Sequence, residues 1–306
     1  MTTRLLRWVK KAGMCGTLIT NGTLLSPSRI ETLLDIGWER IHISLDSPGA
    51  DLNNELRGQP FAYQRTLAAI RALIAGKRRR GVRYPQVCIS TVLSNRMYRS
   101  LPRFAELLMT LGVDVWGVYP VKRTNGNPTR FELSDAEITE CQAILKEVIP
   151  RCDAGGLIHN LNSLLRPEYL TSANDSIPLL KQEQRRHDAI SWPCFEPWTT
   201  VVVTHDGGVG ICCERPNEVG WEDLRDRSLR DVWYGEDFMR IRGDISQGVF
   251  SGNCATCSLW QMSLTQDIKN QLVNHVEQRN SGGAIPPFQV HGRKLQIFKE
   301  GCESQV

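Results

Sequence analysis

The sequence lacks the features that mark membrane, secreted and nucleic-acid-binding proteins. No run of about 18 apolar residues occurs among its 306 residues, whereas a transmembrane helix needs about 20. The opening stretch MTTRLLRWVKKAG contains charges in place of the uninterrupted apolar segment of a secretory signal. The net charge is only +4, from 37 basic and 33 acidic residues, which does not indicate nucleic-acid binding. We therefore expect a cytoplasmic protein with no membrane or nucleic-acid partner.

The first half of the chain alternates strand-like with helix-like segments. Apolar runs rich in branched residues, such as RIHISLD from Arg40 to Asp46 and QVCISTVL from Gln86 to Leu93, are separated by segments of helical periodicity. Ser134 and Glu137 have the spacing of a capping box at the start of one such helix. This alternation predicts an α/β domain over residues 1–150, built on a parallel sheet that is buried on both faces.

The chain changes character near residue 193. The stretch TTVVVTHDGGVGICC has two short apolar runs about a turn and predicts a β-hairpin. A single helical stretch, SLRDVWYGEDFMRIRGDI, and a loop containing CATC follow it. We expect a small α+β cysteine-rich domain over 193–262, a linker over 151–192, and a C-terminal helix with a flexible tail over 263–306.

Five of the ten cysteines fall in the small domain. A reducing compartment disfavours disulfides, so metal ligation is the leading interpretation of the cluster. The hairpin is expected to bring Cys194 close to its far end, at Cys212 and Cys213, and the pair Cys254 and Cys257 supplies two further thiolates from one turn. Ligand type alone fits zinc as well as an iron-sulfur cluster. The remaining alternative is five unrelated buried cysteines.

The order of the segments CFEPW, DGGVGICC, VGWEDLRDRSLRDVWYGEDFMRIRGDI and CATC resembles the SPASM domain. That domain follows the catalytic barrel in many radical S-adenosylmethionine (radical SAM) enzymes. The resemblance implies one auxiliary 4Fe-4S cluster held by Cys194, Cys213, Cys254 and Cys257. Cys212 is the alternative to Cys213, because sequence alone does not choose between adjacent cysteines. A seven-cysteine version of the domain carries two clusters, but its further cysteines have no counterpart at the required positions here.

The stretch TLITNGTLLSPSRIETLLDIGWERIHISLDSPGADLNNELRG resembles the middle of a radical SAM β/α barrel, with Ser47 in place of a glycine. Ligands of parallel α/β sheets bind at the carboxyl ends of strands. The resemblance implies that five residues line the cofactor pocket: Asn21, Ser44, Asp46, Thr91 and Asn95. Arg57 is similar to a family arginine that could meet a carboxylate. Asp114, Lys122 and Arg123 flank the last clear strand and are candidates to face a substrate.

The family's defining motif, CxxxCxxC, does not occur in the sequence, whose only CxxC is Cys254 to Cys257. No GGEP-like segment precedes TLITNG either. We therefore expect a partial, incomplete barrel that is N-terminally truncated and begins after the second barrel strand. Such a chain would not start radical chemistry as printed, and S-adenosylmethionine would be a cofactor only of a full-length parent.

Two hypotheses of function follow. The resemblance implies that the parent carries out S-adenosylmethionine-dependent radical modification of a peptide or small-molecule substrate, with an electron donor protein as partner. The alternative is a noncatalytic iron-sulfur or zinc-binding scaffold protein.

Overall fold

A computed structural model describes two compact units of the chain, one within Met1–Ala173 and one within Asn174–Gln296. The described residues are 2–121, 130–166, 170, 194, 196–205, 207–212, 224 and 227–249, with the backbone of 289–290 and 293–294. Five residues named above lie outside them: Lys122, Arg123, Cys213, Cys254 and Cys257.

The first unit contains a five-stranded sheet in which helices connect successive strands. Its strands are β1 (Thr17–Thr20), β2 (Arg40–Ser44), β3 (Gln86–Leu93), β4 (Val115–Pro120) and β5 (Ile158–His159). Its helices are α1 (Thr2–Lys11), α2 (Pro27–Asp35), α3 (Ala50–Arg57), α4 (Ala62–Arg80), α5 (Leu101–Leu111) and α6 (Asp135–Ala154), with 3₁₀ turns at Tyr98–Ser100 and Leu161–Leu165. The strands lie in chain order and every pair is parallel. The predicted α/β class is confirmed, and the sheet is consistent with a partial β/α barrel.

The sheet reaches further along the chain than the strand pattern predicted. β5 and the second 3₁₀ turn lie within 151–192, the segment expected to be a linker. The predicted capping box is confirmed, because the Ser134 hydroxyl accepts from the Glu137 backbone N–H while the Glu137 carboxylate accepts from the Ser134 N–H.

Burial along the strands alternates, so the expectation of a sheet buried on both faces is wrong for the described residues. Ile41 and Ile43 are fully buried, but the residues that alternate with them, Arg40, His42 and Ser44, are exposed or half-buried. Successive side chains of a strand point to opposite faces. One face therefore carries the core. The other is only partly covered and presents polar side chains together with the exposed Ile19, Val92 and Tyr119.

The second unit is small and contains one apolar core. Its described elements are α7 (Glu196–Thr199), β6 (Val202–Val203), β7 (Val209–Gly210), α8 (Leu229–Trp233), α9 (Glu236–Ser246), β8 (Gln289–Val290) and β9 (Arg293–Lys294). β6 and β7 form the predicted antiparallel hairpin. The expected single helix is instead two helices, because the chain leaves helical geometry at Tyr234 and Gly235 before α9 begins.

The helices in the described ranges were also compared with what a bilayer requires. None of them combines the length and the apolar character needed to cross a membrane.

Asn160 continues the pairing of β4 beyond the short strand β5. Its Oδ1 accepts from the Val118 N–H at 2.8 Å, and its Nδ2 donates to the Val118 carbonyl at 2.9 Å. One amide side chain thus satisfies both backbone groups of a strand residue, as a neighbouring strand would do.

Replacing Asn160 with alanine should lower the free energy of unfolding by about 1–3 kcal/mol, because the Val118 N–H and carbonyl lose their partner. Urea unfolding followed by circular dichroism measures the change. Asn162→Ala is the matched control, since Asn162 is exposed two residues away. Equal losses in the two variants would contradict the role given to Asn160.

Candidate functional site

The carboxyl ends of β1, β2 and β3 form one edge of the sheet, which we call the strand-end edge. Ser44, the last residue of β2, lies opposite Ser90 of β3, and Ser90 lies opposite Gly117 of β4. Just beyond, the Leu45 N–H donates to the Ser90 carbonyl at 3.1 Å. The residues that follow these strands are therefore brought side by side.

Asp46 is buried at the strand-end edge and is held from three directions. Its Oδ1 accepts from the Val92 N–H at 2.9 Å, and its backbone N–H donates to Asn53 Oδ1 at 2.9 Å. Its Oδ2 pairs with Arg57 Nη2 at 2.7 Å, so Arg57 does meet a carboxylate. Burial raises the pKa of Asp46, while the Val92 hydrogen bond and the Arg57 charge act to lower it.

Three polar atoms at this edge are buried and make no hydrogen bond to any residue that the structure describes. They are Arg57 Nε, a donor, Ser94 Oγ, which can donate or accept, and Asn95 Oδ1, an acceptor. The other groups of Asn95 are engaged, since its Nδ2 donates to the Arg130 carbonyl at 3.0 Å and its backbone N–H donates to the Phe131 carbonyl at 3.0 Å. Buried polar atoms in proteins nearly always have a partner, so these three atoms mark a place that a polar ligand would suit.

Thr91 is almost fully buried, and its hydroxyl is used within the sheet. It donates to the Leu45 carbonyl at 2.8 Å and accepts from Trp116 Nε1 at 3.0 Å. Those bonds tie the ends of β2, β3 and β4 to one another. The side chain therefore fixes the shape of the strand-end edge.

Asn21 follows β1 and is exposed. Its Oδ1 accepts from the backbone N–H of Thr23 at 3.0 Å and from the Thr23 hydroxyl at 2.9 Å, and its carbonyl accepts from the Thr66 hydroxyl at 2.7 Å. This arrangement is an Asx turn. It fixes the direction in which the chain leaves β1.

Asp114, a candidate to face a substrate, does not lie at the strand-end edge. It precedes β4, at the opposite edge of the parallel sheet. Its Oδ2 accepts from Lys77 Nζ at 2.6 Å and from the Val87 N–H at 2.7 Å. Asp114 therefore holds the amino ends of the strands together.

The second unit brings two of the predicted metal ligands into one core. Cys212 is buried with Val209, Ile211, Phe238 and other apolar residues, and Cys194 packs against the same cluster. Burial raises the pKa of the Cys194 thiol, and the Cys212 sulfur contributes in the same direction. α7 intervenes between Cys194 and β6, which corrects the expectation that Cys194 directly precedes a strand. The described ranges contain no group of three or more side chains suited to a metal ion.

Cysteines of the first unit have a different environment. Burial raises the pKa of Cys88 to about 11, of Cys141 to about 12 and of Cys152 to about 11. Thiols with such values are poor ligands and nucleophiles at neutral pH. These three cysteines belong to the core of the sheet unit.

Comparison with known proteins bears on both units. Residues 194–258 match the model of the SPASM family, an iron-sulfur cluster-binding domain. The AdoMet-dependent heme synthase of Methanosarcina barkeri is 24% identical over 262 residues, which cover 82% of this chain and 68% of that protein. The tungsten-containing aldehyde ferredoxin oxidoreductase cofactor-modifying protein of Pyrococcus furiosus is 24% identical over 255 residues, covering 83% of this chain and 68% of that protein.

Crystal structures of Streptococcus suis SuiB share the fold. SuiB bound to S-adenosylmethionine superposes with a TM-score of 0.57 at 16% identity, covering 78% of this chain and 53% of SuiB. SuiB bound to the precursor peptide SuiA gives a TM-score of 0.57 at 17% identity, covering 87% of this chain and 58% of SuiB. Residues 194–258 thus match the SPASM family, and the chain as a whole is similar to radical SAM enzymes that carry such a domain. It spans less than two thirds of SuiB.

The sequence motifs did not indicate His42 and Ser90. They lie on the partly covered face of the sheet, where His42 Nδ1 and Ser90 Oγ are 3.3 Å apart. Burial, and then the charge of Arg40, lowers the pKa of His42. The two-residue period of β2 was the available signal, because it places His42 on the same face as Ser44.

The pH dependence of stability tests the balance at Asp46. With its pKa raised, folded Asp46 holds a proton at pH values where the unfolded chain, with an aspartate pKa of about 3.9, has lost it. Its contribution to stability therefore falls as the pH rises from about 4 through the raised pKa. The free energy of unfolding of the wild type minus that of Asp46→Asn should decline over this window in urea titrations. A difference that grows with pH would mean that the Arg57 pairing outweighs burial.

Proposed function

We propose that the second unit holds one auxiliary 4Fe-4S cluster and that the first unit binds S-adenosylmethionine at its strand-end edge. The parent activity is then S-adenosylmethionine-dependent radical modification of a peptide or small-molecule substrate. One observation carries the proposal: two cysteines from different parts of the SPASM segment converge on one apolar core.

Cys194 and Cys212 suit a shared metal site because two cysteines from different parts of the SPASM segment meet in one apolar core. Burial raises the pKa of the Cys194 thiol, and metal coordination would replace the thiol proton. Cys212 is itself a member of the core against which Cys194 packs. We therefore assign Cys212, in place of Cys213, as the ligand from the hairpin, together with Cys194, Cys254 and Cys257. When bound, the cluster supplies a centre that takes up or passes one electron.

The strand-end edge offers complementary polar groups to S-adenosylmethionine, which has an amino group, a carboxylate and ribose hydroxyls. Among the described residues, Arg57 Nε is a donor without a partner and Asn95 Oδ1 is an acceptor without a partner. Asp46 orients Arg57 through its ion pair, and Ser44 contributes a half-buried hydroxyl at the end of β2. Asn21 and Thr91 then act mainly by fixing the ends of β1 and β3.

The sequence contains no CxxxCxxC. We propose that a CxxxCxxC-bearing parent uses S-adenosylmethionine for the radical step, with an electron donor protein in the cytoplasm. SuiB has been crystallised with a precursor peptide, and the Pyrococcus furiosus relative is named for modifying a cofactor. Both substrate classes are therefore retained.

Cysteine substitutions test the cluster proposal. After anaerobic reconstitution the wild type should hold about four irons per chain and absorb broadly in the visible range. Cys194→Ser and Cys212→Ser should lose most of this iron, whereas Cys213→Ser should retain it. Cys141→Ser is the matched control, because Cys141 lies in the core of the other unit.

If Cys212→Ser retains the iron and Cys213→Ser loses it, the ligand is Cys213. A colourless wild type that retains zinc would favour the zinc-binding scaffold over the iron-sulfur protein.

Ser44→Ala tests the strand-end edge. Loss of one hydrogen bond should weaken binding of S-adenosylhomocysteine, a cofactor analogue that cannot be cleaved reductively, by about 3- to 10-fold. Isothermal titration calorimetry measures the affinity. Ser28→Ala, at an exposed position in α2, should leave it unchanged. Equal affinities of wild type and Ser44→Ala would exclude Ser44 from the pocket.

A further inference from the structure

Arg242 of α9 is a buried cation in the second unit. Only 7% of its surface is exposed. Its Nε donates to the Pro197 carbonyl at 2.9 Å and its Nη1 donates to the Trp233 carbonyl at 2.7 Å. Its Nη2 is buried and makes no hydrogen bond to any residue in the described part of the chain. Among the residues that the structure describes, no aspartate or glutamate forms an ion pair with it.

Arg242 contacts the same apolar core as Cys194 and Cys212. Its guanidinium lies 4.3 Å from the centre of the Trp233 ring and 5.4 Å from that of Phe238. Phe238 belongs to the core cluster that contains Cys212, and both Cys194 and Trp233 pack against that cluster. Pro197, whose carbonyl Arg242 holds, is in α7, shortly after Cys194. The cation and the two sulfurs therefore share one apolar environment.

A buried positive charge without an anionic partner is costly. Burial lowers the pKa of Arg242, but an arginine stays protonated in proteins. Two carbonyl oxygens and two aromatic faces compensate part of the charge, and the two N–H groups of Nη2 have no partner among the described residues. Arg240, on the same helix, has the ordinary arrangement, because it is exposed and pairs with Asp237 at 3.0 Å.

An iron-sulfur core held by four thiolates carries net negative charge, and such a group in this core would supply the charge that Arg242 lacks. Uptake of one electron from a reductant adds one negative charge and breaks no bond. A fixed cation in a low-dielectric interior therefore stabilises the reduced form more than the oxidised form.

We propose that Arg242 is the counter-cation of the auxiliary cluster and raises its reduction potential. This inference rests on the proposed function, since it requires the cluster to bind in the second unit. Arg242 acts here as a positioning residue, through charge and through its hold on the backbone that follows Cys194.

The test is a potentiometric titration with dithionite and mediators, followed by electron paramagnetic resonance, on the reconstituted full chain. Arg242→Gln removes the charge and should shift the one-electron equilibrium toward the oxidised cluster about tenfold, which is about 59 mV. Arg242→Lys keeps a charge and should stay closer to the wild type. Arg240→Gln, the matched control, removes an exposed charge from the same helix and should have little effect.

Each outcome of this titration supports or contradicts the proposed role of Arg242. An unchanged potential in an iron-replete Arg242→Gln would overturn the inference. Should Arg242→Gln fail to retain iron, Arg242→Lys decides: iron retained at the wild-type level supports the role of charge, and iron lost there too assigns Arg242 a purely structural role. A wild type that binds no iron would overturn the proposed function itself, whereas loss of iron confined to the Arg242 variants leaves that function standing.

Discussion

Backbone pairing between β2 and β3 runs in parallel from Arg40 opposite Gln86 to Ser44 opposite Ser90, and the rest of the first unit depends on it. Ile41, Ile43 and Ile89 bury one face of this pair completely, which fixes the register because a one-residue slip would turn the apolar side chains to the other face. Since both strands end at one edge, the segments that follow them are forced together. The Asp46 carboxylate can then accept from the Val92 N–H across the two strands.

Both candidate sites are organised by charges that are buried and incompletely compensated. At Asp46 a carboxylate pairs with a cation and accepts one backbone hydrogen bond, yet burial still raises its pKa. At Arg242 a cation has carbonyl and aromatic contacts but no carboxylate within the described residues. Charges in an apolar interior are retained at a cost in stability. A ligand that neutralises or pairs with such a charge recovers part of that cost on binding. The free energy that the unliganded fold loses by burying the charge therefore contributes to the affinity for the ligand.

Local patterns in the sequence predicted the parts of the molecule that local physics determines. Branched apolar runs predicted β2 and β3, the Ser134 and Glu137 spacing predicted a cap, and the turn about His205 predicted a hairpin. Contacts between side chains that are far apart in the sequence could not be predicted in this way. Asp114 pairs with Lys77, which is 37 residues away in the chain and which no local pattern connects to it. Helical spacing from Phe238 and Ile245 places Arg242, but not Arg240, on the buried stripe of α9, whereas the carbonyl partners of Arg242 depend on distant residues.

Zinc and an iron-sulfur cluster differ in whether the net charge of the site changes on reduction. Four thiolates about zinc also form an anionic group, and Arg242 would compensate it equally well. Zinc has no second accessible oxidation state, however, so its net charge is fixed. An arginine beside it would affect only affinity, whereas an arginine beside a redox centre also sets the relative energies of two charge states. A cation held at 7% exposure by Pro197 and Trp233 is fixed in place and excluded from solvent screening, which is the condition under which that second effect becomes large.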